Sequence, residues 1–198
     1  MDDGQNMRAI AIIKSEHQNL AAVLYSMEQL IAEIDSGKQA EFPVFHGLFT
    51  YIDRFLDRYH HPKENEFLFP RLLQRAPDTE ALIHELGQQH YQGAKLFIEM
   101  LKALSAYEFC GESEYPPFRE LVLRYCQFER DHAQLEEQEV LPRAHEVLED
   151  SDWEEIDAAF GENQDPMFGA EWDTEFSTLF NKLVNSLPSP VGLGDAWK

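Results

Sequence analysis

Four stretches of the chain carry apolar residues at the three- and four-residue steps of an amphipathic helix. These stretches predict helices over residues 7–35, 42–71, 78–107 and 117–148. Ser36-Gly37, Pro77 and Gly111 fall between them and mark the breaks, and Pro62 should kink or divide the second helix. Four long amphipathic helices with short connections favour an all-α fold, an up-down-up-down four-helix bundle.

The last fifty residues differ in pattern from the four predicted helices. Ser151 can cap a short helix that runs to about Phe160, and a second short helix is predicted over 171–186. The tryptophan and phenylalanine side chains of this segment favour packing against other apolar surface. We therefore predict a bundle over 7–148 and a short helical C-terminal extension over 149–198 that packs on it.

A repeated set of histidine and glutamate residues lies within the predicted bundle. The second helix carries His-x-x-x-Glu, and the fourth helix carries the same motif. The first and third helices each add one histidine within the apolar stripe. The six residues of this set are His17, His60, Glu64, His90, His132 and Glu136.

The spacing of these residues suits metal binding. Residues four apart share one face of a helix, so each His-x-x-x-Glu pair can point at a single centre. Imidazoles and carboxylates that converge inside a bundle are costly without a partner, and bound cations remove that cost. Although one such pair alone is usually a surface hydrogen bond, the repeated set predicts a site for two metal ions bridged by carboxylates.

Charge and cysteine content narrow the classes of partner. Sixteen Lys and Arg oppose thirty-seven Asp and Glu, which gives a net charge of −21. This field repels nucleic acids and anionic membranes, so neither is expected as a partner. Two cysteines are too few for a disulfide framework or a four-thiolate metal site. No apolar run approaches the roughly 20 residues that span a bilayer, and the N-terminus lacks signal-peptide features, so the cytoplasm is expected.

Residues 10 to 148 resemble the hemerythrin-like, HHE cation-binding family. The stretch from His60 to Pro70 resembles the second-helix motif of that family, and the stretch from His132 to Glu137 resembles its fourth-helix motif. The resemblance implies a left-handed four-helix bundle and two iron ions joined by an oxo or hydroxo bridge. It also implies that the six residues named above are the ligands, with the two glutamates as bridges. The same ligands also accept manganese or zinc.

Three features of the motifs bear on ligand number and function. Some family members use the residue after the first motif histidine, which makes His61 a candidate extra ligand; we interpret it as supporting the ligands or facing solvent. Oxygen-carrying hemerythrins have two third-helix histidines four residues apart, whereas Leu86 and Ala94 flank His90 here at that spacing. Oxygen-carrying hemerythrins also have His-x-x-x-x-Asp on the fourth helix, where this chain has His-x-x-x-Glu. The resemblance is therefore nearer to di-iron proteins linked to iron–sulfur repair and nitric-oxide response.

The sequence thus predicts a non-haem di-iron protein that reacts with or senses O2, NO or peroxide in stress response or iron–sulfur repair. The alternative is a metal-binding module for iron storage or for response to iron availability, without turnover. A third class is a helical interaction protein whose histidines are structural. The ligands do not decide between sensing, scavenging and catalysis, and no protein partner is indicated.

Overall fold

The computed structural model describes residues 8–161, and every regular element within that range is helical, which confirms the predicted all-α class. The α-helices are α1 (Arg8–Asp35), α2 (Phe42–Tyr51), α3 (His61–Lys63), α4 (Phe69–Arg75), α5 (Glu80–Cys110), α6 (Tyr115–Leu135), α7 (Leu141–Val147) and α8 (Asp150–Gly161). Short 3-10 turns precede α5 and α6. None of the helices within the described range is long and apolar enough to cross a bilayer.

Three π-helical stretches link the shorter α-helices into two long helical runs, residues 42–75 and 115–147. These stretches are Ile52–His60, Glu64–Leu68 and Glu136–Val140. Each ends two residues before a proline: Pro62, Pro70 and Pro142. Since proline lacks an N–H and its ring clashes with the carbonyl four residues earlier, a widened turn accommodates it. The expected division at Pro62 therefore takes the form of a change in helix type, because the backbone stays helical at each junction.

Side-chain pairs fix the register between α5 and α6. His90 lies 3.0 Å from His132, and the rings of Phe97 and Tyr125 lie 6.0 Å apart. Residue numbers rise along one helix as they fall along the other, so the two helices run antiparallel. The up-down-up-down order of the four long helical runs stays a prediction.

Two apolar clusters fill the interior, and a polar layer lies between them. The larger cluster includes Phe55, whose ring lies 6.1 Å from that of His60. The smaller cluster includes Phe69, whose ring stacks on His90 at 5.6 Å. The histidines of the predicted site are therefore enclosed by apolar side chains on both sides.

Helix α8 belongs to the smaller cluster through Trp153, Ile156 and Phe160. The Asp157 carboxylate accepts the N–H groups of Arg8 and Ala9 at the first turn of α1. The predicted short helix is thus present, although it begins at Asp150, so that Ser151 lies inside it rather than capping it. The cap is made differently, because the Asp152 carboxylate accepts the N–H of Glu149.

The other predicted features of the C-terminal extension, the helix over 171–186 with Trp172 and Phe176, lie outside the described residues. The division into a bundle over 7–148 and an extension over 149–198 stays a prediction.

Replacing Phe160 with alanine should lower the free energy of unfolding by about 3–5 kcal/mol, because the side chain is fully buried and leaves a cavity. Phe109→Ala is the matched control, since Phe109 is 84% exposed and its loss should change stability by less than about 0.5 kcal/mol. Chemical denaturation measures both. Equal stability of the two variants would contradict the docking of α8.

Candidate metal centre

The helices bring all six predicted residues, together with His61, into one buried layer. His17 comes from α1, and His90 comes from α5. The two motifs lie where the helix type changes: His60 ends one π-helical stretch, and Glu64 and Glu136 each open another. None of the seven side chains is more than 7% exposed.

The seven residues form two adjacent groups that share a carboxylate. Each group offers ligand atoms that all lie within 4.8 Å of one another. Glu64 belongs to both groups. The first group is His61, Glu64, His90 and His132, and the second is His17, His60, Glu64 and Glu136.

Glu136 also lies between the two groups. Its Oε2 is 3.3 Å from Nε2 of His17 in the second group. Its Oε1 is 3.5 Å from Nε2 of His132 and 3.8 Å from Nε2 of His90, both in the first group. Glu64 is placed in the same way, with Oε1 3.4 Å from Nε2 of His60 and Oε2 3.5 Å from Nε2 of His90. Both carboxylates can therefore serve two cations at once.

Four of the five histidines have their Nδ1 atom within hydrogen-bond distance of an oxygen outside the two groups. An Nδ1–H that donates to such an oxygen leaves the Nε2 lone pair free to face the centre. In the fifth, Nδ1 of His61 lies 3.8 Å from a carboxylate oxygen of Asp57. The four acceptors are Glu137 for His17 at 3.0 Å, Glu16 for His60 at 2.7 Å, Asn65 for His90 at 3.1 Å and Gln89 for His132 at 2.9 Å.

These oxygen acceptors were not identified from the sequence. A simple signal was available. Each of the four is the sequence neighbour of a candidate ligand, as Glu16 is of His17 and Gln89 is of His90. Glu16 and Gln89 do not orient their own neighbours, however, but histidines on other helices.

The inward atoms of the layer need a positive partner. Both oxygens of Glu64 and of Glu136, and Nε2 of His17 and His61, are buried and have no hydrogen-bond partner among residues 8–161. Nε2 of His90 and Nε2 of His132 approach to 3.0 Å, although each is a lone-pair acceptor when its Nδ1 carries the hydrogen. Buried polar atoms without partners are costly, and cations bound in the two groups would remove that cost. The donor set therefore fits two metal ions.

Burial sets the protonation of most of the histidines. It lowers the pKa of His132 to about 4 and also lowers the pKa values of His60 and His61. Burial acts in the same direction on His17, but hydrogen bonds and charge from Glu136 and Glu137 outweigh it and raise the pKa of His17. Neutral imidazole is the form that binds metal. Burial therefore keeps three of the five histidines, His60, His61 and His132, in the metal-binding form.

The two carboxyl groups are affected differently. Burial, with the nearby charge of Glu136, raises the pKa of Glu64 well above its usual value. Burial would also raise the pKa of Glu136, but His132 and His17 outweigh it and lower that pKa. Without metal, Glu136 is therefore the carboxylate that stays ionised, and a cation would favour ionisation of both.

His61 lies in the layer rather than at the surface. It is only 4% exposed, and its ring stacks on that of His90 at 4.0 Å. The interpretation that it faces solvent is therefore wrong, and it supplies a third imidazole to the first group. Adjacent residues on an α-helix point about 100° apart. Helical periodicity therefore predicts that His61 and His60 face different directions. The change from a π-helical stretch to α3 falls between them.

A helical protein with two linked groups of imidazole and carboxylate ligands belongs to the class of cation-binding helical proteins. The model of the Hemerythrin HHE cation binding domain matches residues 8–144, and the chain belongs to this family. The family named from the motifs is thereby confirmed.

The chain is similar to proteins from two species of Mycobacterium. The Uncharacterized protein Rv1995 of Mycobacterium tuberculosis (strain ATCC 25618 / H37Rv) is 22% identical over 180 residues, which cover 91% of this chain and 69% of the relative. The Uncharacterized protein Mb2018 of Mycobacterium bovis matches with the same identity and coverage. No solved structure matches the chain.

Proposed function

We propose that the protein is a non-haem di-iron protein that reacts with or senses a small ligand. His61, His90 and His132 would hold one ion, His17 and His60 would hold the other, and the two glutamates would bridge them. The observation that carries this proposal is the shared position of Glu64, which belongs to both groups of ligand atoms and has no hydrogen-bond partner in the part of the chain that the structure describes.

Iron is proposed from the donor set together with the family. Imidazole and carboxylate suit iron, and they also accept zinc or manganese, so the family likeness is what favours iron over these. Bound iron would supply one-electron chemistry and an open position for a ligand. The chain's own part is to keep the imidazoles oriented through their Nδ1 partners and to exclude water with Phe55, Phe69 and their neighbours.

The surroundings of the centre favour small neutral ligands: O2, NO or hydrogen peroxide. A groove of about 360 Å³ between α1 and α6 is bordered by His17, Ala21 and Ala133 and gives a route from the surface. The net charge of −21 disfavours anions. These features support a role in oxidative or nitrosative stress response or in iron–sulfur repair.

Iron storage, or response to iron availability without turnover, is the second candidate. The placement of His61 favours it, because five imidazoles and two carboxylates leave few coordination positions for another ligand.

Stopped-flow mixing separates the two candidates. Iron-loaded protein, reduced without air, is mixed with O2, NO and hydrogen peroxide while the optical spectrum is followed. We expect oxidation by O2 and peroxide without a long-lived reversible species, and a new spectrum with NO. A spectrum that stays unchanged with all three would favour storage, and one that forms with O2 and reverses under vacuum would indicate oxygen carriage.

A further inference from the structure

Glu129 is a buried acid that the proposed ligand set does not use. It lies on α6, one helical turn before His132, and is only 1% exposed. Within residues 8–161, neither of its carboxyl oxygens makes a hydrogen bond of standard geometry, although the hydroxyl of Tyr125, one turn further back, lies close enough to affect its pKa. Such a group costs stability unless something else accepts or donates a hydrogen bond there.

The carboxyl group points into the interior beside the ligand layer. A Cβ atom at Gly93 would lie 2.7 Å from Oε1 of Glu129, so α5 has a glycine where this carboxyl packs. Gly93 follows His90 by one turn, just as Glu129 precedes His132 by one turn. Because α5 and α6 are antiparallel, the acid lies in the layer next to the two histidines.

The surroundings keep this acid neutral. Burial, and then the charge of Asp57 from the neighbouring helical run, raise the pKa of Glu129 to about 8, although Tyr125 opposes the shift. Glu136 adds to the rise from the side of the candidate centre. At neutral pH and without metal, the Glu129 carboxyl group therefore carries a proton.

We propose that the buried carboxyl group of Glu129 donates a hydrogen bond to a small ligand held at the candidate metal centre. The ligand class is a small molecule with a lone pair next to the atom that would bind metal, such as hydrogen peroxide, and azide serves as its experimental probe. The groove between α1 and α6 is bordered by both Glu129 and His17, so one path reaches the acid and the centre. This inference rests on the proposed function.

Azide binding to metal-loaded protein tests the proposal without turnover. Azide affinity of the unaltered protein should fall as pH rises, in part because Glu129 loses its proton and then repels the anion. Glu129→Gln keeps a donor that does not titrate, so its affinity should lack that part of the fall. Glu129→Leu has no donor and should bind azide about tenfold or more weakly at pH 7.

Glu120→Gln is the matched control, because Glu120 is exposed on the same helix and undergoes the same substitution away from the centre. It should keep the pH dependence of the unaltered protein. The titrating neighbours of Glu129, which are Asp57, Tyr125 and Glu136, remain in every variant. The part of the fall that disappears in Glu129→Gln alone therefore belongs to Glu129.

A second readout uses metal-free protein. Its infrared spectrum at pH 7 should contain C=O bands of protonated carboxylic acids, Glu64 and Glu129 among them. Glu129→Gln should lose the Glu129 contribution to these bands, whereas Glu120→Gln should keep it. Unaltered bands in Glu129→Gln, or an azide profile equal to that of the control, would overturn the inference while the metal centre stands. Failure of the unaltered protein to bind metal would overturn the proposed function and this inference together.

Discussion

Replacing Glu64 with alanine is expected to remove both metal ions rather than one. Glu64 belongs to both groups of ligand atoms, and its two oxygens face His60 in one group and His90 in the other. A carboxylate that bridges two cations stabilises both, so its loss should lower the occupancy of each position at least about tenfold. Glu136→Ala should act in the same way. Metal analysis after loading and desalting measures the effect.

Two variants control this experiment. Glu66 is exposed in the same π-helical stretch, so Glu66→Ala removes the same charge and should keep both ions. His61 belongs to the first group alone, so His61→Ala should lower occupancy mainly at that position. Full retention of one ion in Glu64→Ala would show that the carboxylate does not bridge.

Removing the metal should lower the melting temperature by roughly 8–16 °C. Saturation at about a thousand times the dissociation constant adds about 4 kcal/mol of stability, and a chain of this size melts about 2–4 °C higher per kcal/mol. The physical source is the buried set of oxygens and nitrogens that otherwise has no partner. Calorimetry before and after chelation, followed by re-addition of metal, measures the change.

The double variant Glu64→Ala, Glu136→Ala serves as the control for chelation. It lacks both shared carboxylates, so a chelator should leave its melting temperature unchanged. Equal melting of the unaltered protein with and without bound metal would contradict a site in which the cations neutralise the buried layer.

The six motif residues and the helices that carry them were accessible from sequence because both depend on local spacing. Apolar residues at three- and four-residue steps define the helices, and a four-residue step places His60 with Glu64 and His132 with Glu136. The four-residue spacing still places each pair on one face, because the π-helical stretches begin at Glu64 and at Glu136 and so follow each pair. The structure brings the residues together, while their role as ligands stays a proposal.

The features that sequence did not predict depend on contacts between helices. His61 turns inward where the helix type changes, which periodicity does not describe. Glu16 and Gln89 orient histidines on other helices, so their roles need the packing register. The burial of Glu129 depends on its packing against Gly93 of the neighbouring helix α5, a contact that the sequence does not indicate.

The central claim is tested most directly by locating the metals in crystals of iron-loaded protein by anomalous diffraction at the iron edge. The account predicts two sites per chain, one among His61, His90 and His132 and one between His17 and His60, with Glu64 touching both. A single site, or two sites that share no carboxylate, would contradict it.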